Sequence, residues 1–304
     1  YGPTRLRLAL TKSRNLVSIR LLQDLGVREL IDYVDTLGFD TSTLSPDLSL
    51  ALGTHAISPL ELATGYAILA NGGYRVEPFL IERIDNSEGD TLYQARPPTV
   101  CRDCLGPLDI DLQEAVAETA EVIGADDDGL APALEPLPPA PRVMEARVNY
   151  IVDSILQDVI TRGTGRRARV LERGDLAGKT GTTNGPMDAW FSGYNRNVVT
   201  TTWVGFDGYT PLGRREFGGT AALPIWIDFM REALRDDEDV EREMPPGIVT
   251  VRIDAATGLL AGSSRENTMF EYVREEYVPE QGEVVRGSNP RSTAGDSLAT
   301  DIFD

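Results

Sequence analysis

Five consecutive residues, Lys179-Thr180-Gly181-Thr182-Thr183, combine one cation, three hydroxyls and one position with no side chain. Carried on a β-strand, this string sets a fixed positive charge beside bare backbone. An extended peptide can then lie along the strand edge while the hydroxyls take its terminal carboxylate. Far upstream, Ser13-Arg14-Asn15 sets a hydroxyl two residues from a side-chain amide. Lys12 and Lys179 are the only lysines of the chain, so a lysine inside the first string outweighs an ordinary solvated strand lysine. For Ser13 the bland alternative is the N-cap of the following helix, the commoner role of a serine between helices.

The elements that must carry these residues can be read from the apolar pattern. Residues 5–12 are good helix formers, and Leu16, Ile19, Leu22 and Leu25 resume a helical period, which sets the Ser-Arg-Asn triplet between two helices. Leu30, Ile31, Val34 and Leu37 mark a short amphipathic helix ending at Gly38, a left-handed stop. Ser58-Pro59-Leu60-Glu61 is a capping box with proline at the first helical position, and Asn71-Gly72-Gly73 closes that helix. Residues 79–84 and 91–93 flank Asn86-Ser87-Glu88-Gly89 as a small hairpin. Between about 97 and 141 the composition turns to Pro, Asp, Glu and Ala, the mark of a partly flexible insertion.

The clearest helix follows, with Val148, Ile151, Val152, Ile155, Leu156, Val159 and Ile160 on one face and a stop at Gly163. Strands are expected at 176–183, 189–194 and 198–206, an antiparallel set against which that helix packs. Pro224 starts a helix through Trp226, Ile227, Met230 and Leu234, apolar enough to cover one sheet face. Beyond Pro245-Pro246, residues 248–253 and 259–260 are expected to form a separate hairpin about Thr257-Gly258, and the stretch from 281 reads as a disordered polar tail.

Bulk properties narrow the function. The 304 residues carry a net charge of −19, with 41% apolar and 25% charged residues. That balance is ordinary for a globular protein but unsuited to a phosphate backbone, so nucleic acid is not an expected partner. No apolar run reaches the roughly 18 residues of a membrane span. The first residue is Tyr1 and leads straight into a helical pattern, so the start reads as a cut within a longer protein. Cys101 and Cys104 stand as a lone pair, and the single histidine, His55, is distant. A four-ligand zinc site is therefore not expected, and a loop disulfide or idle thiols fits better. No cofactor is expected, and His55 is assigned no role. Trp190, Trp203 and Trp226 read as packing residues.

Taken together, Ser13-Arg14-Asn15, the string Gly178 to Asn184, Asp188-Ala-Trp-Phe-Ser-Gly-Tyr194, Leu50-Ala51-Leu52-Gly53, the helix ending Ala70-Asn71-Gly72-Gly73, and Arg162-Gly163-Thr164-Gly165 resemble class A penicillin-binding proteins of the 1A type over roughly residues 1 to 260. The resemblance implies an α+β fold of the serine β-lactamase and penicillin-binding transpeptidase kind. Its antiparallel sheet is packed by helices, and a small β extension follows. On this reading residues 1–240 form an incomplete transpeptidase domain, 245–280 the extension and 281–304 the tail. The family's set is Ser-x-x-Lys, Ser-x-Asn and Lys-Thr-Gly. The first member is missing, because Ala9 and Leu176 occupy the positions three before the two lysines.

By this resemblance Ser13 relays a proton to the leaving nitrogen and Asn15 holds the substrate. Lys179 supplies positive potential, Thr180 and Thr182 hold the terminal carboxylate beside Gly181 and Thr183, and the Thr182 amide is one oxyanion donor. The implied partners are peptidoglycan stem peptides, β-lactams and cell-wall assembly proteins. A membrane anchor and a glycosyltransferase domain are expected upstream, at the periplasmic face of the bacterial inner membrane. Two rivals stay open at this point: a class A β-lactamase, which hydrolyses the acyl-enzyme, and a non-catalytic sensor of β-lactams or muropeptides. Thr164 is left out of the site, since helix termination accounts for the glycine before it.

Overall fold

The computed structural model describes residues 2, 4–100, 137–183, 185–263 and 265–281. The cysteine pair, most of the expected insertion and the expected tail lie outside these residues. The chain divides into two compact units, one up to Pro246 and one from Gly247.

In the first unit, α1 (Leu6–Thr11), α2 (Asn15–Leu25) and α3 (Val27–Thr36) follow the apolar period. Gly38 takes the expected left-handed conformation at φ +92°. Helix α4 (Pro59–Ala70) opens on the capping box: Ser58 Oγ accepts from the Glu61 amide, and the Glu61 carboxylate accepts from the Ser58 amide. Before it, His55 Nε2 accepts from the Ser45 amide at 2.9 Å and clips the loop. Strands β1 (Arg83–Asp85) and β2 (Thr91–Gln94) form the small hairpin, with its first strand shorter than expected.

Helix α5 (Ala146–Thr161) and strands β3 (Ala177–Thr182), β4 (Ala189–Tyr194) and β5 (Val199–Val204) frame the site, and α6 (Leu223–Ala233) closes the unit. The sheet runs β3-β4-β5, antiparallel throughout, with Lys179 opposite Ser192 and Ser192 opposite Thr201. Side chains alternate between faces along each strand. Thr180, Phe191 and Thr202 share one face, where Phe191 meets Trp226 of α6 edge-on at 4.9 Å and both are fully buried. Ala177, Lys179 and Tyr194 share the other, where Tyr194 packs with Tyr66 and Ala70 of α4 and Leu156 of α5. Helices thus cover both faces of the sheet, as the pattern of apolar residues in α5 and α6 requires.

A polar network crosses the second face. Tyr194 donates its hydroxyl to Asp153 at 2.9 Å, and Arg242 reaches the same carboxylate at 3.4 Å while donating to Asn149 Oδ1 and to the Ala70 carbonyl. Burial raises the Asp153 pKa, with Arg242 and the Tyr194 hydrogen bond opposing it.

In the second unit, β6 (Ile248–Asp254) pairs with β7 (Thr268–Arg274), so the main partner strand lies later than the sequence pattern indicated. Residues 259–261 do fold back on β6, through Asp254 N to Leu259 O and Ala261 N to Arg252 O. The cause is Asp254, whose Oδ1 accepts from the Ala256 and Thr257 amides and turns the chain sharply there.

Candidate active site

Ser13 owes its place to how α1 ends. The Ser13 amide donates to the Leu10 carbonyl at 3.1 Å and the Arg14 amide to Ala9 at 2.8 Å, the paired bonds of a Schellman stop. Such a stop needs a left-handed residue, and Ser13 supplies it at φ +53°. Glycine would adopt this conformation freely, whereas a side chain costs roughly 1 kcal/mol. Ser13 is not the N-cap of α2. Arg14 holds that position without a side-chain cap bond.

The stop is fixed against α5. Arg7, buried, donates to Asp158 at 3.0 Å and to Ser154 Oγ at 2.9 Å. Lys12 Nζ reaches the Arg162 carbonyl just past the end of α5 at 2.5 Å. Gly163 makes this closeness possible, because a Cβ there would stand 2.5 Å from the Thr11 carbonyl and 2.6 Å from Val159 Cα.

Against this junction stands Lys179, in the middle of β3. Its ammonium donates to Ser13 Oγ at 2.9 Å and to the Thr180 carbonyl at 2.8 Å. No carboxylate pairs with it among the described residues. Burial alone therefore acts on it and brings its pKa from 10.5 down to about 8.

Strand β3 is an edge of the sheet. The Thr183 amide bonds to the Asp188 carbonyl, which fixes the alternation: residues 183, 181, 179 and 177 turn their amides toward β4. The amides of Thr180 and Thr182 therefore point away from the sheet, on the side where the Thr180 carbonyl meets Lys179. Hydroxyls flank them. Thr180 Oγ1 lies 2.7 Å from Thr164 Oγ1, and Thr182 Oγ1 accepts from the Gly218 amide at 3.0 Å.

The remaining expected residues are placed differently. Asn15 opens α2, is exposed, and makes no side-chain hydrogen bond among the described residues. Thr183 Oγ1 accepts from the Met187 and Asp188 amides at 3.0 and 2.9 Å, so it shapes the β3–β4 turn. Gly181 lies beside Trp190, where a Cβ would come within 3.0 Å of the Trp190 Cβ, and its backbone meets the segment before α6. There Gly218 packs so tightly on β3 and β4 that a Cβ on it would lie 2.4 Å from the Gly181 carbonyl and 2.3 Å from that of Trp190.

Two contributors escaped sequence reasoning. Thr164 sits at Thr180, although sequence reasoning leaves it out of the site because helix termination accounts for the glycine before it. Gly218 caps the strand, and its only signal was a Gly-Gly doublet shortly before the proline of α6.

The arrangement can hold an extended anionic peptide along β3 and pass a proton between Lys179 and Ser13. A family model described as the penicillin binding protein transpeptidase domain matches residues 1–211. Penicillin-binding protein 1A of Pseudomonas aeruginosa is 46% identical over 99% of this chain, which spans 38% of that protein. The crystal structure of penicillin-binding protein 1A from Haemophilus influenzae gives a TM-score of 0.79 at 34% identity, covering 93% of this chain and 42% of that one. The PonA1 protein of Mycobacterium tuberculosis, solved in complex with penicillin V, shares the fold at a TM-score of 0.57 and 19% identity, over 81% of this chain and 63% of its own.

Proposed function

Because the chain belongs to the penicillin-binding protein transpeptidase family, as its match over residues 1–211 shows, we propose that it provides the binding strand and proton relay of a peptidoglycan D,D-transpeptidase. The observation that carries the reading is the Lys179 Nζ to Ser13 Oγ hydrogen bond of 2.9 Å beside a strand edge with outward amides.

The chemistry is acyl transfer. A serine hydroxyl attacks the penultimate D-alanine carbonyl of a stem peptide, the peptide C–N bond breaks, and the departing D-alanine amine takes a proton. Ser13 delivers that proton, and Lys179 both polarises Ser13 and draws the substrate carboxylate. A second stem's amine then attacks the serine ester, which forms the cross-link and returns the proton to serine; water in its place gives carboxypeptidase action. The outward amide of Thr182 serves as one oxyanion donor, and losing such a donor costs on the order of 100- to 1000-fold in rate. Thr180 and Thr182 hold the terminal carboxylate, Gly181 and Thr183 shape the strand beside them, and Asn15 takes the substrate amide.

No Ser-x-x-Lys occurs in this sequence, and the chain spans 38% of its Pseudomonas relative. The nucleophile is accordingly assigned to a preceding part of a longer bifunctional protein with a glycosyltransferase domain. Its anchor sets the transpeptidase at the periplasmic face of the inner membrane, where cell-wall assembly proteins are its partners. β-Lactams, as mimics of D-Ala-D-Ala, acylate the same serine. The test is labelling of that longer protein with a fluorescent penicillin, followed by nitrocefin turnover. A stable acyl-enzyme with negligible turnover is expected. Rapid repeated hydrolysis would sink the transpeptidase reading in favour of a hydrolase, and no labelling at all would sink both.

A further inference from the structure

We propose that Thr164 is a positioning residue of the carboxylate clamp: by hydrogen-bonding the Thr180 hydroxyl it aims that hydroxyl's proton at the substrate carboxylate. The inference rests on the transpeptidase reading and assigns a role to a residue outside the family's recognised triplets.

Thr164 Oγ1 lies 2.7 Å from Thr180 Oγ1 across 16 residues of chain. A hydroxyl has one proton and two lone pairs, so in such a pair one oxygen accepts and keeps its own proton free. A carboxylate takes only donors. The productive arrangement has Thr164 donating to Thr180 Oγ1, which leaves the Thr180 proton for the ligand. Without Thr164 the Thr180 hydroxyl is a free rotor and must be ordered at each binding event.

The backbone around Thr164 is built to hold this geometry. The Val159 carbonyl accepts from both Gly163 N at 3.1 Å and Gly165 N at 3.0 Å, so the two residues flanking Thr164 are tied to the last turn of α5. Both flanking glycines are buried, and neither tolerates a side chain easily. A Cβ on Gly163 would strike the Thr11 carbonyl, and one on Gly165 would come within 3.2 Å of Phe191 Cε2. From the other side Gly219 packs on the Thr164 carbonyl, where a Cβ would lie 3.2 Å away, and Arg167 donates to the Gly219 carbonyl at 3.3 Å. The same short segment therefore abuts the Thr11 carbonyl, two residues before Ser13, and reaches Thr180 through the Thr164 hydroxyl, so it touches the elements of both the relay and the clamp.

A carboxylate is bound equally in the ground and transition states, so an interaction that serves it alone appears in the apparent dissociation constant and not in the acylation rate constant. The experiment is the time course of acylation by a fluorescent penicillin of the longer protein bearing this chain, as wild type, Thr164→Val and Thr164→Ser. Thr164→Val should weaken the pre-acylation dissociation constant about tenfold, the scale of one misaimed hydrogen bond to a charge. Its acylation rate constant should stay within about twofold, and Thr164→Ser, which keeps the hydroxyl, should match wild type in both. An unchanged dissociation constant in Thr164→Val overturns the inference. So does a loss that falls on the rate constant, or a serine variant as impaired as the valine. If wild type is never acylated, the transpeptidase reading fails and this inference with it.

Discussion

Lys179 should be a lysine that titrates unusually close to neutral pH, and the sequence makes this directly measurable. Its ammonium faces a hydroxyl and a carbonyl with no carboxylate partner among the described residues, so only burial acts on it and its pKa falls from 10.5 to about 8. A drop of that size raises the neutral fraction at pH 7 by about 300-fold, to roughly one molecule in ten. The chain has only Lys12 and Lys179. Lysine labelled with 13C and 15N therefore yields two side-chain signals, and Lys179→Arg identifies the one that matters. Its midpoint is expected at about 8 and should hold when ionic strength is raised, because desolvation rather than a screened charge causes the shift. The sign for stability follows: between about 8 and 10.5 the unfolded chain binds more protons than the folded one, so stability rises with pH across that window. The gain is bounded by about 1.4 kcal/mol per pH unit and should vanish in Lys179→Met. A midpoint above about 10 would show a solvated ammonium and refute the argument that this site stores an uncompensated charge.

Other residues give further tests. Gly163→Ala should destabilise the chain by roughly 2–3 kcal/mol in urea unfolding, because its Cβ meets backbone atoms on two sides, 2.5 Å from Thr11 O and 2.6 Å from Val159 Cα. Ser13→Gly should be more stable than Ser13→Ala by about 1 kcal/mol, since glycine alone takes φ +53° without strain; acylation of the longer protein should be lost in both. Arg242→Met should cost about 2–4 kcal/mol near neutral pH by leaving Asp153 charged and buried. That loss should shrink on acidification, because Asp153 has a raised pKa and its neutral form is the one burial favours; an equal loss at every pH would refute the assignment.

Much of the frame could be read from residue order. The capping box at Ser58 and the apolar stripe of α5 involve neighbours in sequence, and those local rules survived folding. What could not be read were relations set by distant partners. The N-cap, the alternative weighed for Ser13, is a local reading, since serine between helices commonly is one. The observed placement of Ser13 depends on a Schellman stop whose left-handed residue is usually glycine, which a serine does not advertise. Thr164 and Gly218 reach the site only because α5 and the segment before α6 converge on β3, a tertiary fact invisible to periodicity. In the second unit β7 was missed because the Asp254 turn first sends residues 259–261 along β6, and the longer partner arrives only at Thr268.

The alternation of one edge strand explains why cation and hydroxyls occur as Lys-Thr-Gly-Thr rather than in another order. Odd positions put Lys179 on the α1 and α5 side, where Ser13 waits, and leave Gly181 bare beside Trp190. Even positions put Thr180 and Thr182 on the other side, within reach of Thr164 and Gly218. The same even positions turn their amides to the open edge, where the Thr180 carbonyl also meets the Lys179 ammonium, so on the proposed reading clamp, oxyanion donor and proton relay converge on one edge from the two faces of the strand. A one-residue slip of β3 against β4 would exchange all three at once, sending the lysine into the Phe191 core and the hydroxyls to Ser13. The β3 side chains resist that slip, because the fully buried Ala177 packs with Tyr194, Ala70 and Leu156 and Lys179 would lose its bond to Ser13. The packing of β3 on the second face thereby holds the register on which the proposed chemistry of the edge depends.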